Sequence, residues 1–350
     1  MLEKMEKLMQ TQQSQPEQEH VDRLFDVIAS FVMLPSLKIA AQLDIAGLLK
    51  DGAKHVSELA KATSSHPEAL YRVLRILAND GIFTEIKNRV FAQNEVSHLL
   101  RGDVPFSMRE YISSDGQKPE MCCKTLQNLP YTVQTNKSAF SHAHNGMSLW
   151  EYFSNHPEDG QHFSQAMTSL SAIYSDVTLS EYDFAAMQTV VDVGGAYGSL
   201  LSAVLHANSH LQGILFDLPK VIEDAKNHID SELVERCRLE SGDFLQAVPT
   251  GADAYMMRYV LHDWDDENCI KILKNCRVAS KNAKVLIVER VLKPNHNSQF
   301  TLALDLWMLM LFNNAKERTE EEYRGLLEAA GFRLNQVIPT ESPFSIVEGV

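Results

Sequence analysis

His262 is the residue of this sequence best placed to move a proton. It follows the apolar run YMMRYVL, so it stands at the carboxyl end of a predicted strand, where α/β folds collect their ligands. Two carboxylates are candidate partners: Glu289 ends the strand KVLIVE, and Glu317 lies in the loop NNAKERT. A histidine that takes a proton from a hydroxyl group needs its second ring nitrogen held by an acceptor. The alternative is a structural histidine with two surface acids.

The turn VDVGGAYG is the second feature that could do chemistry. Its glycines would let a ligand approach the backbone at the end of a strand, and Asp217 closes the next strand. An acid there can accept hydrogen bonds from the two hydroxyls of an adenosine ribose. The glycines are spaced Gly-Gly-x-x-Gly rather than Gly-x-Gly-x-x-Gly, so the fingerprint of pyrophosphate binding is absent. A tight turn beside a solvated acid would also explain the pattern.

Other polar residues near these strand ends are less specific. Asp243 and Phe244 follow the third strand and could contact an adenine amino group and ring, although Gly-Asp is also a common turn. Asp265, Asp266 and Glu267 follow His262 at the start of a predicted helix. Acids there suit the positive end of the helix dipole, which explains them more simply than a metal site does.

The elements that must position these residues belong to a chain of 350 residues, long enough for about two domains. Its composition, 45% hydrophobic and 22% charged, excludes a collagenous or wholly disordered chain. The net charge of −14 disfavours nucleic acid and anionic membranes as partners. No apolar run approaches the roughly 18 residues of a membrane span, because the early candidate at 31–34 stops at Pro35. The polar N-terminus does not resemble a secretory signal.

The five cysteines indicate a reducing compartment. They form no Cys-x-x-Cys pair, which argues against a disulfide framework and against a structural zinc site. Cys269 and Cys276 fall on one predicted helix, where they are best interpreted as two small apolar residues on one face. We therefore expect a cytoplasmic protein.

The N-terminal third has the pattern of a winged helix. Residues 1–20 predict a disordered tail, and residues 21–110 predict helices followed by two short strands around Lys87 and Asn88. Such a module binds DNA or packs against another surface. The charges between residues 66 and 80 sum to zero, which disfavours DNA and favours a dimerisation domain. Many of its apolar residues lack partners within the segment, so we expect a homodimer with intertwined N-terminal helices.

The remaining sequence predicts a helical wall and then an α/β sheet. Residues 111–185 predict a helical linker whose aromatic and methionine side chains form core or line an apolar pocket. Residues 186–350 alternate strands and helices, which predicts a doubly wound, Rossmann-like sheet. A helix at 318–330 has a capping box at Thr319 and Glu322 and ends at Gly331. The last two strands would close the sheet as an antiparallel edge.

Several motifs of the C-terminal half resemble those of the S-adenosylmethionine-dependent O-methyltransferases of the caffeate and acetylserotonin type. They are, in order, VDVGGAYG, FDLPKVI, SGDF, MMRYVLHDWDDE, VERVL and DLWMLMLFNNAKERTEEEY. The N-terminal module resembles that family's dimerisation domain. The resemblance implies transfer of a methyl group from S-adenosylmethionine to a hydroxyl, with S-adenosylhomocysteine as product and no metal. The aromatic and methionine residues of 111–185 favour a flat phenolic or polyketide-like acceptor.

The resemblance also assigns roles to single residues. His262 matches the general base, with Glu289 and Glu317 at the positions of its flanking acids. The matching cofactor-binding positions are Gly194, Asp217, Leu218, Asp243, Phe244 and Arg258. The matching acceptor-pocket positions are Trp150, Phe163, Met167, Asp263 and Met308.

Three departures from the family pattern are visible. Ala196 replaces a glycine and bulky Tyr197 follows it, so we expect the loop to sit differently over the cofactor. Ala315 replaces the common glycine of the family's GKERT element. Leu170 stands where lignin-pathway members have histidine, which argues against a hydroxycinnamate acceptor.

Two alternatives to methyl transfer remain open at this point. An enzyme of the same fold could hold S-adenosylmethionine yet catalyse a pericyclic or decarboxylative step. A DNA regulator or a catalytically silent partner subunit is the second alternative. The presence of His262 with both acids favours methyl transfer.

Overall fold

The computed structural model describes residues 18–113, 119–178, 180 and 182–350. Contacts divide the chain into two compact units, Met1–Ser113 and Ser114–Val350. Most of the tail expected at 1–20 lies outside the described residues. Residues 18–20 already belong to a helix, so the structured part begins earlier than the sequence indicated.

The first unit consists of helices and a small three-stranded sheet. Its elements are α1 (residues 18–29), a 3₁₀ turn (Ser30–Val32), α2 (Met33–Gln42), α3 (Ile45–Leu48), β1 (Lys54–His55), α4 (Val56–Ala62), α5 (Pro67–Asn79), β2 (Thr84–Lys87), β3 (Val90–Ala92), α6 (Glu95–His98) and α7 (Arg109–Ser113). The strands run antiparallel in the order β1-β3-β2. The two predicted strands are confirmed; two-residue β1 is too short to leave a periodic signal.

The N-terminal helical segment exposes a long apolar surface. Gln18–Gln42 is long and apolar enough, by length and composition, to cross a membrane, and only 11% of its most apolar window is buried. The expectation that Pro35 ends this run was wrong. Pro35 lies in the first turn of α2, directly after the 3₁₀ turn, where its missing N–H costs no intrahelical bond. The large exposed side chains are Val21, Leu24, Phe25, Val27, Ile28, Phe31, Leu34 and Ile39.

The second unit begins with a group of helices. They are α8 (Pro119–Gln127), α9 (Leu129–Thr135), α10 (Ala139–Ala143), α11 (Leu149–Asn155) and α12 (Pro157–Thr178). Ser148 begins α11 with a capping box to Glu151, and Pro157 occupies the first turn of α12. These helices carry the aromatic side chains for which the sequence predicted a place in the core or in a pocket wall.

Alternating strands and helices follow, as predicted. They are β4 (Thr189–Val193), α13 (Ser199–Ala207), β5 (Gln212–Asp217), α14 (Pro219–Ala225), β6 (Cys237–Ser241), β7 (Ala254–Arg258), α15 (Asp266–Ala279), β8 (Lys284–Glu289), β9 (Val291–Leu292), α16 (Gln299–Leu311), β10 (Arg318–Thr319), α17 (Glu320–Ala329), β11 (Leu334–Pro339) and β12 (Ser345–Gly349). The capping box at Thr319 and Glu322 is confirmed. Arg318 and Thr319 themselves form a short strand parallel to β9, so the helix begins only at Glu320.

The main sheet has the order β11-β12-β8-β7-β4-β5-β6. Strands β4 to β8 are parallel, whereas β12 pairs antiparallel with β8 and with β11, which confirms the predicted closure. Apolar clusters cover both faces of this sheet. The carboxyl ends of β4, β5, β7 and β8 therefore meet at one edge, which is where parallel sheets bind their ligands.

Candidate active site

His262 lies in a one-turn 3₁₀ helix, Leu261–Asp263, just after β7. Its ring is buried, and Nδ1 is 2.8 Å from Oε1 of Glu317. Oε2 of Glu289 is 3.8 Å from the same nitrogen, and Oδ1 of Asp263 is 3.4 Å from Nε2. The structure thus brings together the histidine and both acids that the sequence proposed, from three separate elements.

The two glutamates hold the histidine in different ways. Glu317 hydrogen-bonds the ring itself, and its backbone N–H donates to Asp305 of α16. Oε1 of Glu289 instead accepts the backbone N–H groups of Val260 and Leu261, at 3.1 Å each. Glu289 therefore fixes the turn that carries His262, while its other oxygen faces the ring.

Arg318 binds the carbonyl groups of the same turn. Its guanidinium is fully buried and donates to the carbonyl oxygens of Leu261 and Trp264, which flank His262. It also forms two hydrogen bonds to Asp266 at the start of α15. Sequence reasoning missed this residue, although it directly follows Glu317.

Tyr259 is a second contact that the sequence did not reveal. Its backbone has φ +55°, an uncommon conformation for a residue other than glycine. Its ring stacks on His262 with centroids 5.0 Å apart and meets Phe344 edge-on. The only advance signal was an aromatic residue close before the histidine.

Burial and charge shift the protonation of this cluster. Burial alone would lower the pKa of His262, but the negative charges of Glu289, Asp263 and Glu317 raise it above its usual value. Burial raises the pKa of Glu289 and of Asp263, against the attraction of the imidazole. The imidazole and these two carboxylates therefore each oppose the effect of burial on the pKa of the other.

The glycine turn after β4 lies at the same sheet edge. Gly194 has φ +70°, and a Cβ there would approach Val260 to 2.9 Å and Phe244 to 3.6 Å. A Cβ on Gly195 would lie 2.5 Å from Leu215 and 2.6 Å from Asp192. Both positions therefore require glycine, one for its backbone conformation and both for space.

Asp217 stands beside this turn. Its Oδ2 accepts the N–H of Ala196 at 2.9 Å, and its Oδ1 accepts the N–H of Leu218 at 2.7 Å. Each carboxylate oxygen has two lone pairs, so each keeps one for a ligand hydroxyl. Ala196 adopts φ +49°, a strained conformation for alanine, and Tyr197 packs into the core with its ring stacked on His228.

Two pairs of residues flank the turn. Phe244 meets Trp264 edge-on at 5.8 Å, and Asp243 caps its own turn by accepting the N–H of Leu245.

Arg258 is buried and donates to Ser199 at the start of α13. Burial raises the pKa of Asp192 to about 7, although the positive charge of Arg258 opposes the shift. Asp192, which the sequence analysis passed over, brings a buried carboxyl beneath the glycines.

Three of the five proposed acceptor residues, Trp150, Phe163 and Met308, lie in an aromatic cluster. Trp150 stacks on Phe312 at 5.6 Å and meets Phe163 edge-on at 6.2 Å. Met308 is buried in the same cluster, one turn along α16 from Asp305, which binds the backbone of Glu317. Met167 lies half-buried one turn beyond Phe163 on α12, outside this cluster. Asp263 belongs instead to the group around His262, which also includes Glu289 and Glu317 and is called the base cluster below.

The sheet edge that carries the glycine turn after β4 fits an adenosyl cofactor. The space that a Cβ at Gly194 would fill lies between Val260 and Phe244, and Asp217 keeps acceptor capacity next to it. An aromatic ring beside this space can pack against an adenine ring, and a carboxylate can accept hydrogen bonds from the hydroxyls of a ribose. The residues at this edge are therefore chemically suited to an adenosyl group.

Known proteins resemble this chain in sequence and in fold. The profile of the O-methyltransferase domain matches residues 126–333, and that of the O-methyltransferase dimerisation domain matches residues 25–103. A phenazine O-methyltransferase of Lysobacter antibioticus is 38% identical over 327 residues, 93% of this chain and 94% of the relative.

Two solved structures extend the comparison. A methyltransferase of calicheamicin biosynthesis, in its S-adenosyl-L-homocysteine-bound form, is 31% identical with a TM-score of 0.84 over 95% of this chain and 98% of that chain. An O-methyltransferase of neocarzinostatin biosynthesis, in complex with S-adenosylmethionine and 2-hydroxy-5-methyl naphthoic acid, is 30% identical with a TM-score of 0.74 over 93% and 97%. The chain belongs to the O-methyltransferase family and is an S-adenosylmethionine-dependent O-methyltransferase.

Proposed function

We propose that the enzyme methylates a phenolic hydroxyl of a small, flat, apolar molecule and that His262 is the general base. The hydrogen bond from Nδ1 of His262 to Glu317 carries this proposal. In the neutral ring, Nδ1–H donates this hydrogen bond to the carboxylate, and the lone pair of the ring lies on Nε2. Nε2 is then free to accept a proton from the acceptor.

The chain's own residues supply orientation and proton transfer. Bound S-adenosylmethionine supplies an electrophilic methyl group on its sulfonium. Gly194, Asp217 and Phe244 would hold it at the sheet edge. A phenol has a pKa of about 10 and is a poor nucleophile at neutral pH, so His262 removes its proton as the oxygen attacks. Glu317 then stabilises the imidazolium through the Nδ1 hydrogen bond.

The aromatic cluster supports a planar acceptor. Trp150, Phe163 and Phe312 present ring faces and edges, and Met308 adds a polarisable side chain. The Lysobacter relative is named for a phenazine, and the neocarzinostatin enzyme binds a naphthoic acid. Fused aromatic rings of this kind are the acceptors we expect for this chain.

We further propose that a second copy of this chain covers the apolar surface of Gln18–Gln42 in a cytoplasmic homodimer. The dimerisation profile includes most of this segment, and an apolar surface of its extent is typical of a protein interface. Sedimentation of the purified protein should give twice the chain mass without detergent. A monomer that floats with lipid vesicles would contradict this assignment.

The substitution His262→Ala tests the catalytic proposal. We expect kcat for methyl transfer to fall by about 10²–10⁴-fold, the usual contribution of a general base, with little change in cofactor affinity. Transfer from isotopically labelled cofactor measures the rate, and calorimetric titration measures binding. His296→Ala, which changes an exposed histidine, is the matched control. Unchanged turnover in His262→Ala would remove the general base from the mechanism.

A further inference from the structure

The base cluster has the composition of a small metal site. One ligand atom each from His262, Glu289 and Glu317 lies within 4.8 Å of the other two, and all three residues are buried. Oε1 of Glu317 lies 2.8 Å and Oε2 of Glu289 lies 3.8 Å from Nδ1 of His262, and these three are the ligand atoms. An ion with bonds of about 2.0–2.2 Å to nitrogen and oxygen would fit between them after shifts of a few tenths of an ångström.

The cluster also carries more negative charge than its neighbours balance. Asp263, Glu289 and Glu317 surround a single imidazole. Arg318 is directed instead to Asp266 and to two backbone carbonyls. Buried charges of one sign require a proton or a cation nearby.

Oxygen atoms without a hydrogen-bond partner point to an occupant of the cluster. Within the described part of the chain, Oε2 of Glu289, Oε2 of Glu317 and the hydroxyl of Tyr323 are buried without a hydrogen-bond partner. Buried polar groups almost always have partners, so three in one neighbourhood indicate a bound water or ion.

We propose that His262, Glu289 and Glu317 bind a divalent transition-metal ion of the Zn²⁺ type, and that this ion switches the enzyme off. One imidazole nitrogen with two carboxylate oxygens suits Zn²⁺ or Co²⁺. Mg²⁺ prefers oxygen ligands in octahedral geometry and would fit poorly.

The inhibition follows from the tautomer of His262. An ion on Nδ1 takes the lone pair of that nitrogen, so the neutral ring must carry its proton on Nε2. Nε2–H can donate to Asp263, 3.4 Å away, but it cannot accept a proton from the acceptor hydroxyl. Binding of the ion is independent of the proposed function, whereas inhibition rests on His262 being the base.

Cobalt provides a binding readout that does not depend on activity. Titration of the purified enzyme with Co²⁺ should give visible absorption bands that saturate at one ion per chain and disappear when Zn²⁺ is added. Glu289→Gln and Glu317→Gln should weaken binding by at least about 10–100-fold, since even changes outside a ligand shell cost that much. Circular dichroism and cofactor titration establish that both variants are folded.

The chain offers a matched control. His206, Asp230 and Glu232 form the other candidate metal cluster among the described residues, and it is exposed. His206→Ala should leave the cobalt bands unchanged. Loss of the bands in His206→Ala, or undiminished binding in both glutamine variants, would overturn the proposal. Absence of bands in the wild type would mean that only water occupies the cluster.

Two further measurements separate the parts of the proposal. Anomalous scattering at the zinc edge from wild-type crystals should locate the ion beside His262, which requires no variant. Zn²⁺ should inhibit methyl transfer, and a chelator should restore it. An ion located in the cluster without inhibition would retain the binding site but contradict both the switch and the role of His262 as base.

Discussion

The base cluster and the glycine turn lie at the same edge of one sheet, yet they are built in different ways. His262, Glu289 and Glu317 come from distant parts of the sequence and meet through buried, charged hydrogen bonds. The glycine turn is local: its shape comes from positive φ angles at Gly194 and Ala196 within a few residues. In the function proposed above, charged side chains position the proton chemistry, whereas backbone conformation shapes the cofactor site.

This difference predicts that the two regions fail in different ways. A change in the network around His262 should lower kcat, because the base loses its orientation while the cofactor cradle stays intact. A change in the glycine turn should weaken cofactor binding, because the backbone that approaches the ligand is displaced.

Arg318→Met should have the larger effect. It leaves the buried carbonyl of Leu261 and the carbonyl of Trp264 without their donor, and each such group costs about 1–3 kcal/mol. We expect the free energy of unfolding to fall by about 3 kcal/mol and kcat to fall with little change in cofactor affinity. Urea unfolding, steady-state kinetics and calorimetry measure the three quantities.

Arg324→Met is the control for this prediction. Arg324 pairs with Glu320 and Glu321 on the surface of α17, where an ion pair contributes at most about 1 kcal/mol. Equal effects of the two substitutions would show that the contacts of Arg318 do not orient His262.

Gly195→Ala should reduce the stability less than Arg318→Met does. It should lower cofactor affinity rather than kcat. Its Cβ would meet Leu215 and Asp192 at contact distances that force a shift, and overpacking of this kind costs about 1–3 kcal/mol. We expect cofactor affinity to fall and kcat at saturating cofactor to change little. Calorimetric titration and saturation kinetics distinguish the two.

Gly325→Ala provides the matched glycine control. Gly325 is exposed within α17 and has no atom within 4 Å of an added Cβ. Alanine there should stabilise the protein by about 1 kcal/mol through helix propensity alone, with no change in cofactor affinity. Unchanged cofactor binding in Gly195→Ala would contradict the role assigned to the turn.

Sequence reasoning was most successful where a feature is local. The strand Lys284–Glu289 and the capping box at Thr319 and Glu322 agree with the predicted patterns, because periodicity and capping act within a few residues. It failed at Pro35, where a preceding 3₁₀ turn placed the proline in a tolerated position. It also missed Asp192, since one acid in an apolar strand does not reveal its burial.

The sequence by itself determined the order of strands and helices, the glycines of the cofactor turn and the histidine with its two candidate acids. Only the tertiary structure decided how those acids act: Glu317 holds the ring, and Glu289 holds the backbone of the turn. It also revealed the contacts that Tyr259 and Arg318 make with the histidine and its turn. The physical reason is distance along the chain. Local conformational preferences are encoded within a few residues, whereas a buried charge network exists only after separate strands have paired.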